Sequence, residues 1–412
     1  MKNFEYVYSK LKKHGFRNFI FLSGKYLTSL PLAWASSVVL SFIGIPKSPY
    51  TTTWNGCRNF FLRMLGVEYR SEFSLSEPHH FHERGVQDNI IRIIYADPAE
   101  GPVTVVNPFN PEDTHTYFWF PRRNYELANV VFDPRSGSVL INSMVVQESS
   151  HRFPTTEILN SNLAWRCRNP LRLDVPECSG IQWAFNYAHW LTEDLMSVLR
   201  IRKQFGNQVP FITPSKLARF QVEALNLLGV NRIEIDAPVL CNRYFLAGQH
   251  QRSQAALRPS DYSLLRQTFL PLLGDDTPSK NDLEIYISRR KSTRSLIQEK
   301  ELEQMLIDHG FLVVFTEDLD FAEEIALFSR AKTIIGITGS GMANNMWMSP
   351  GGRFIEIRIN DFYDPSGRYN CPLFGLHISL IDCRNQSFET PARIVFQKIF
   401  ECLKDKVPKY VY

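Results

Sequence analysis

Two groups of residues in this chain have the types and spacing that chemistry needs. The first is His189 with Glu193. They stand four apart in FNYAHWLTEDLMSVLRI, where Tyr187, Leu191, Leu195 and Val198 recur at helical spacing. Residues four apart on a helix are neighbours. Asn186, His189, Glu193, Ser197 and Arg200 line the side opposite the apolar stripe, and Trp183 and Trp190 flank it. An ordinary solvated face carries Lys and Glu; this one carries Asn, His and Glu. Histidine titrates near neutrality and suits a general base, and a carboxylate beside it sets its tautomer and raises its basicity. The same spacing also suits a structural histidine with its hydrogen bonds satisfied in an interface.

The second group is arginine and glycine. Ser288, Arg289, Arg290 and Arg294 leave the strand-like run EIYISRR. Thr338-Gly339-Ser340-Gly341 ends the run KTIIGI, and a helix is expected from about Met342. Its free N–H groups and positive dipole end would face whatever lies over the turn. Guanidinium forks suit a diphosphate. Alone, such a turn is equally a tight turn that caps a helix. An arginine-rich strand end in the same unit is what points to a phosphate site.

These groups need elements to hold them. From Glu284 to Ile357 strand-like and helix-like runs alternate as βαβαβ, which implies a parallel sheet. Leu302, Met305 and Leu306 mark one helix, and Phe321, Ile325 and Phe328 another, with Asp320 and Glu323 as its capping box. Ligands of open α/β sheets bind outside the carboxyl ends of the strands, so the arginines and the glycine turn belong to one crevice. Upstream, VPFIT, KLARFQVEALNLLG, RIEID and SDYSLLRQTFLPLLG repeat the alternation, with Gly229 and Gly274 placed to end helices. Between residues 89 and 146 the texture is β, with a hairpin-like turn at Asp133-Pro-Arg-Ser-Gly137. Residues 275–281 are polar and turn-rich, a linker.

The expected fold is α/β: two Rossmann-like domains face a central crevice, preceded by a small β-rich section; the family resemblance described below makes this arrangement GT-B-like. The expected boundaries are 1–75 for a basic and apolar extension, 76–274 for a first α/β domain and 283–412 for a second, to which that resemblance gives the acceptor side and the nucleotide sugar respectively.

Composition narrows the classes. A 412-residue chain with 44% hydrophobic and 21% charged residues folds around a full core. A net charge of +4 argues against a dedicated nucleic-acid binder. Seven scattered cysteines without CxxC spacing read as reduced thiols in a cytosolic setting. Residues 1–25 are basic and aromatic, and Tyr26 to Pro46 carries no charge. That pairing suits an interfacial segment drawn to anionic lipid, a membrane span, or a helix packed on the body. The histidines of Glu77-Pro-His-His-Phe-His-Glu83 lack the periodicity that would converge them on a metal. Asp318-Leu319-Asp320 imitates a metal-binding DxD, but Asp320 is placed to cap a helix.

In the order ISRR, Arg294, Glu299, HGF and FAEEIALFSRAKTIIGITGSGMANNMW, the chain resembles glycosyltransferase family 61. The stretch Asn186-Tyr-Ala-His-Trp-Leu-Thr-Glu193 is similar to the family's other motif. The resemblance spans roughly 90 to 400. It departs at Gln298, where Asn is usual, and at Thr338, where the family's turn has a His that should face the nucleotide sugar. It implies an inverting transferase that moves a sugar from a nucleotide sugar, expected to be a UDP-sugar, to a glycan or lipid-linked saccharide. The setting would be capsular or extracellular polysaccharide synthesis, in the cytoplasm or peripherally at the inner membrane. Arg289, Arg290, Arg294, Glu299, Thr338, Gly339, Ser340, Gly341 and Asn344 would hold the donor, with Glu299 and Asn344 on uridine or ribose. Asn186 and Trp190 would face the acceptor. His189, or failing it Glu193 or Asp194, would be the base. No metal and no cofactor are expected. Two other readings stand beside this one: another polysaccharide-modifying transferase on a similar scaffold, and a non-catalytic binding protein whose donor site has decayed at Thr338.

Overall fold

A strand covered on both faces reads as an unbroken apolar run, and the Ile334-Ile-Gly-Ile337 end of the strand Ala331–Ile337 is one. It lies inside a six-stranded parallel sheet of the computed structural model. The structure describes residues 87–97, 100–107, 110–119, 122–142, 144–146, 149, 166–181, 186–248, 258–274, 281–292, 294–359, 371–372, 374–383, 387–404 and 410–411. All of them belong to one unit, Glu72–Phe153 with Arg166–Tyr412. The 1–75 extension, the histidines of 77–83, Trp183 and all of the linker but Asn281 lie outside the described residues. Among the described residues, no helix is long and apolar enough to cross a membrane.

The described residues open with antiparallel strands. They are β1 (Ile90–Asp97), the hairpin β2 (Glu100–Asn107) and β3 (Asn110–Trp119), then β4 (Arg122–Asp133), β5 (Ser138–Ile141) and β6 (Met144–Val145). The turn between β4 and β5 is the expected one: Gly137 N–H donates to Asp133 O at 2.8 Å, with Gly137 at φ 67. β7 (Leu171–Arg172) follows. One partner in this sheet comes from far downstream. Strand β11 (Val239–Ala247) runs antiparallel along β4 and is not among the runs read as strands above. Its last four residues are all buried, so the period-two signal fades where both faces are covered.

Next comes a βαβαβ unit. β8 (Ser179–Gly180), β9 (Phe211–Thr213) and β10 (Arg232–Glu234) form a parallel sheet in the order β10-β9-β8. Between β8 and β9 runs helix α1, made of Tyr187–His189, a π turn Trp190–Asp194, and Leu195–Phe205. Between β9 and β10 runs α2 (Arg219–Leu227). Gly229 ends α2 as expected: at φ 62 it donates to Asn226 O, and Val230 N–H donates to Leu225 O, a Schellman closure. Helix α3 (Pro259–Phe269) follows β11.

The large sheet then forms. Its parts are β12 (Leu283–Ile287), α4 (Glu299–Ile307), β13 (Leu312–Val314), α5 (Phe321–Ser329) and β14, the Ala331–Ile337 run. A 3₁₀ helix Ser340–Trp347, β15 (Arg353–Arg358), β16 (His377–Asp382), α6 (Ala392–Lys404) and β17 (Tyr410–Val411) complete it. All neighbours are parallel, in the order β13-β12-β14-β15-β16-β17. The direction of winding reverses between β12 and β14, so the switch-point crevice lies over their carboxyl ends. The architecture is therefore mixed α/β with parallel sheets, as expected. A continuous apolar core joins α1 and α2 to α5 and the 3₁₀ helix through Trp190, Leu191, Leu225, Phe321, Ile325 and Trp347.

Candidate active site

The register Ile287↔Gly336 sets the ends of β12 and β14 side by side. Arg289 and Gly339 therefore emerge together at the switch point. An ideal Cβ on Gly339 would lie 1.4 Å from Arg289 Nη1, so the guanidinium rests on the glycine itself. The φ of 169 is extended backbone that any residue adopts; space, not conformation, calls for glycine here. Arg289 Nε donates to Ser292 Oγ at 3.1 Å, and Nη1 donates to Thr338 O at 3.4 Å. Burial, then the charge of Arg294, pushes the Arg289 pKa down. A cation in that position gains from an anion. Gly339, Ser340 and Gly341 are half-buried. The helix after the turn is the tight 3₁₀ form, starting at Ser340. Gly336 lets it pack, because a Cβ there would be 2.5 Å from Met342 Sδ. Its far end is held by α3, whose Arg266 donates to Met348 O at 2.8 Å.

Glu299 builds this corner from below. Its carboxylate is buried and accepts from Tyr286 Oη at 3.1 Å, Ser288 Oγ at 3.3 Å, Leu296 N–H at 3.1 Å and the N–H of Arg289. Burial raises its pKa, and those donors oppose the rise. The expected contact with uridine or ribose gives way to a framing role, because its oxygens are occupied by the loop that carries Arg289. Arg290 turns toward α4: its Nε meets Glu303 at 3.0 and 3.1 Å, and its guanidinium lies 5.2 Å from the centre of the Phe315 ring. It is not brought to the glycine turn.

Thr338 is corrected in the same way. Its side chain is buried, and its hydroxyl donates to Glu356 Oε1 at 2.6 Å. A short β-branched side chain reaches that carboxylate and points away from the crevice; only its carbonyl meets Arg289. Asn344 is fully buried and accepts from Tyr187 Oη at 2.8 Å, so it too is internal and not a ligand contact. Asp320 caps α5 reciprocally with Glu323, at 2.8 Å in each direction, and Asp318 pairs with Lys291. Among the described residues no group of three or more His, Cys, Asp or Glu could hold a metal ion.

The histidine side is built on α1. Asn186 caps it, accepting from Ala188 N–H at 3.0 Å and His189 N–H at 3.4 Å. The helix then widens into the π turn, where Leu195 N–H donates to Trp190 O. Such single turns inside α-helices are frequent at functional sites. His189 Nδ1 stands 3.2 Å from Glu193 Oε1, with the imidazole 28% exposed and the carboxylate 11%. Asp194 is 0% exposed and cannot meet an acceptor. Trp190 is likewise 0% exposed, a core residue and not an acceptor surface.

Tyr187, one turn before Leu191, brings the two sides together. Its bond to Asn344 ties the start of α1 to the helix that follows the glycine turn. Sequence reasoning passed over Tyr187 as part of an apolar stripe, and passed over Ser292 and Glu324 altogether. Glu324 had a signal: it sits between Phe321 and Ile325 on the buried face of α5, where a carboxylate is out of place.

Residues 187–355 match the family model Glycosyltransferase 61. The chain is thus a glycosyltransferase, an enzyme that moves sugars from a donor to a glycan acceptor. That match over residues 187–355 supports glycosyltransferase family 61. The matched segment opens on Tyr187 and ends within β15, so it takes in the His189–Glu193 pair, Arg289 and the glycine turn. No curated protein matches the chain.

Proposed function

We propose that this enzyme is an inverting, metal-independent glycosyltransferase that takes a UDP-sugar as donor. One observation carries the reading: the Arg289 guanidinium lies on Gly339 at the switch point, while Tyr187 ties the His189 helix to the same turn. The diphosphate would lie on Arg289, Arg294 and the N–H groups of Ser340 and Gly341. Residues 76–274 would form the acceptor side and 283–412 the donor side of a GT-B-like crevice.

His189 would take the proton of the acceptor hydroxyl, with Glu193 orienting the imidazole. The hydroxyl oxygen attacks the anomeric carbon from the face opposite UDP. The sugar–phosphate C–O bond breaks, and its electron pair leaves on the diphosphate. Fixed positive groups meet that charge, the part a metal plays elsewhere. The acceptor would be a glycan or lipid-linked saccharide of a capsular or extracellular polysaccharide, with residues 1–46 against the inner membrane.

Calorimetry with UDP, in the wild type and in Arg289→Ala, tests the donor site. Loss of a charge-assisted contact should cost about 1.5–3 kcal/mol. A panel of nucleotide sugars, with the anomeric configuration of the product read by NMR, then names donor and stereochemistry. Unchanged UDP affinity in the arginine variant, or a product of retained configuration, overturns the reading.

A further inference from the structure

Glu324 lies on the apolar stripe of α5 with Phe321, Ile325 and Phe328, and is itself buried. A carboxyl there needs a reason. Its neighbours are the hydroxyl of Tyr187 and the side-chain amide of Asn344, and Tyr187 also lies against Trp347. Tyr187, Asn344 and Trp347 are all buried. Tyr187 belongs to α1, two residues before His189. Asn344 belongs to the 3₁₀ helix, three residues after Gly341. The carboxyl is thus the third corner of a buried polar knot whose other two corners carry the base and the turn.

We propose that Glu324 is a positioning residue for sugar transfer: it holds Tyr187 against Asn344 and so fixes His189 over the glycine turn. The proposal rests on the reading of His189 as base and of the turn as donor site. Burial raises the Glu324 pKa to about 7, with Tyr187 and Asn344 acting against the rise. The neutral carboxyl can donate as well as accept, which suits a knot built from a hydroxyl and an amide. From α2, Glu223 pushes the same way as burial and Arg219 pulls against it. Tyr187 stays protonated throughout, since burial and then Glu324 lift it well above its ordinary value. Glu223 Oε2 also accepts from Phe321 N–H at 3.0 Å, and Arg219 donates to Glu317 O at 3.2 Å, so α2 fastens the start of α5. The three elements of the knot are therefore braced by a fourth, α2.

The test compares the full chain with Glu324→Ala and Glu324→Gln. Amide hydrogen exchange is followed over residues 186–195 and 340–347, without ligand. Glu324→Ala should speed exchange in both segments together by about 10-fold or more, leaving β14 protected. Glu324→Gln, which keeps the shape and a polar head that both donates and accepts, should return both segments close to wild type. In transfer assays with the donor found in the panel, Glu324→Ala should lower kcat by about 10- to 100-fold while the donor KM stays within about twofold. Exchange that is unchanged in Glu324→Ala, or raised evenly across the chain, overturns the proposal. So does a Gln variant as poor as Ala, or a loss that appears in KM alone. If the exchange pattern holds and the wild type transfers no sugar from any donor tried, the fault lies with the proposed donor and not with Glu324.

Discussion

The buried Glu324 makes stability depend on pH in a way that can be worked out beforehand. Its carboxyl is lifted by burial from 4.5 to about 7, and the side chain is 6% exposed, so solvent screens it little. Raising a carboxyl that far costs the ionised form about 3 kcal/mol in the folded state. The sign follows from where the proton sits. The folded chain holds the proton more tightly than the unfolded chain does, so the full stability is present below about 4.5 and is lost as pH rises through about 7. Between pH 5 and pH 9 the wild type should lose about 2.5 kcal/mol that Glu324→Gln does not lose. Urea unfolding of both proteins at five pH values across that range measures it. Their difference cancels every other group that titrates in both chains. Curves that run parallel from pH 5 to 9 would refute the placement of Glu324 in the knot. A difference that grows toward acid would reverse the sign and refute the cause.

His189→Ala should lower turnover by about 10²–10⁴-fold with UDP affinity near normal, and Glu193→Gln should cost less; the reverse ranking in sugar-transfer assays makes Glu193 the base. Gly339→Ala adopts the backbone freely but displaces the Arg289 guanidinium, so calorimetry should show UDP binding weakened by about 1–3 kcal/mol with the unfolding midpoint unchanged. Activity should survive EDTA, because Asp318 is paired with Lys291 and Asp320 caps a helix; full loss restored by manganese would falsify metal independence.

What could be read along the chain was local. The alternation from β12 to β14 was legible because each element announces itself in its own periodicity. The Asp320 cap and the Gly229 closure were legible because both partners of each bond lie within a few residues. Pairing His189 with Glu193 needed only a helix, although the turn that holds them is of the π form. Arg289 and Gly339 could be assigned to one crevice because parallel strands end on one edge.

Depth and direction were not legible. Thr338, Asn344, Trp190 and Asp194 stand in motifs that face a site, yet each is turned inward, and sequence spacing does not say how deep a residue lies. Arg289 and Arg290 are adjacent and chemically alike. One lies on Gly339 and the other pairs with Glu303, because consecutive residues leaving a strand diverge. Strand β11 hid because its end is covered on both sides by chain far away in sequence. The decisive bond joins Tyr187 to Asn344, 157 residues apart. The sequence by itself determined the α/β elements and the chemistry of the two motifs, since those depend on neighbours along the chain. Only the tertiary structure decided which of those side chains reach the crevice and which are spent on holding it, since that depends on what packs against each from elsewhere.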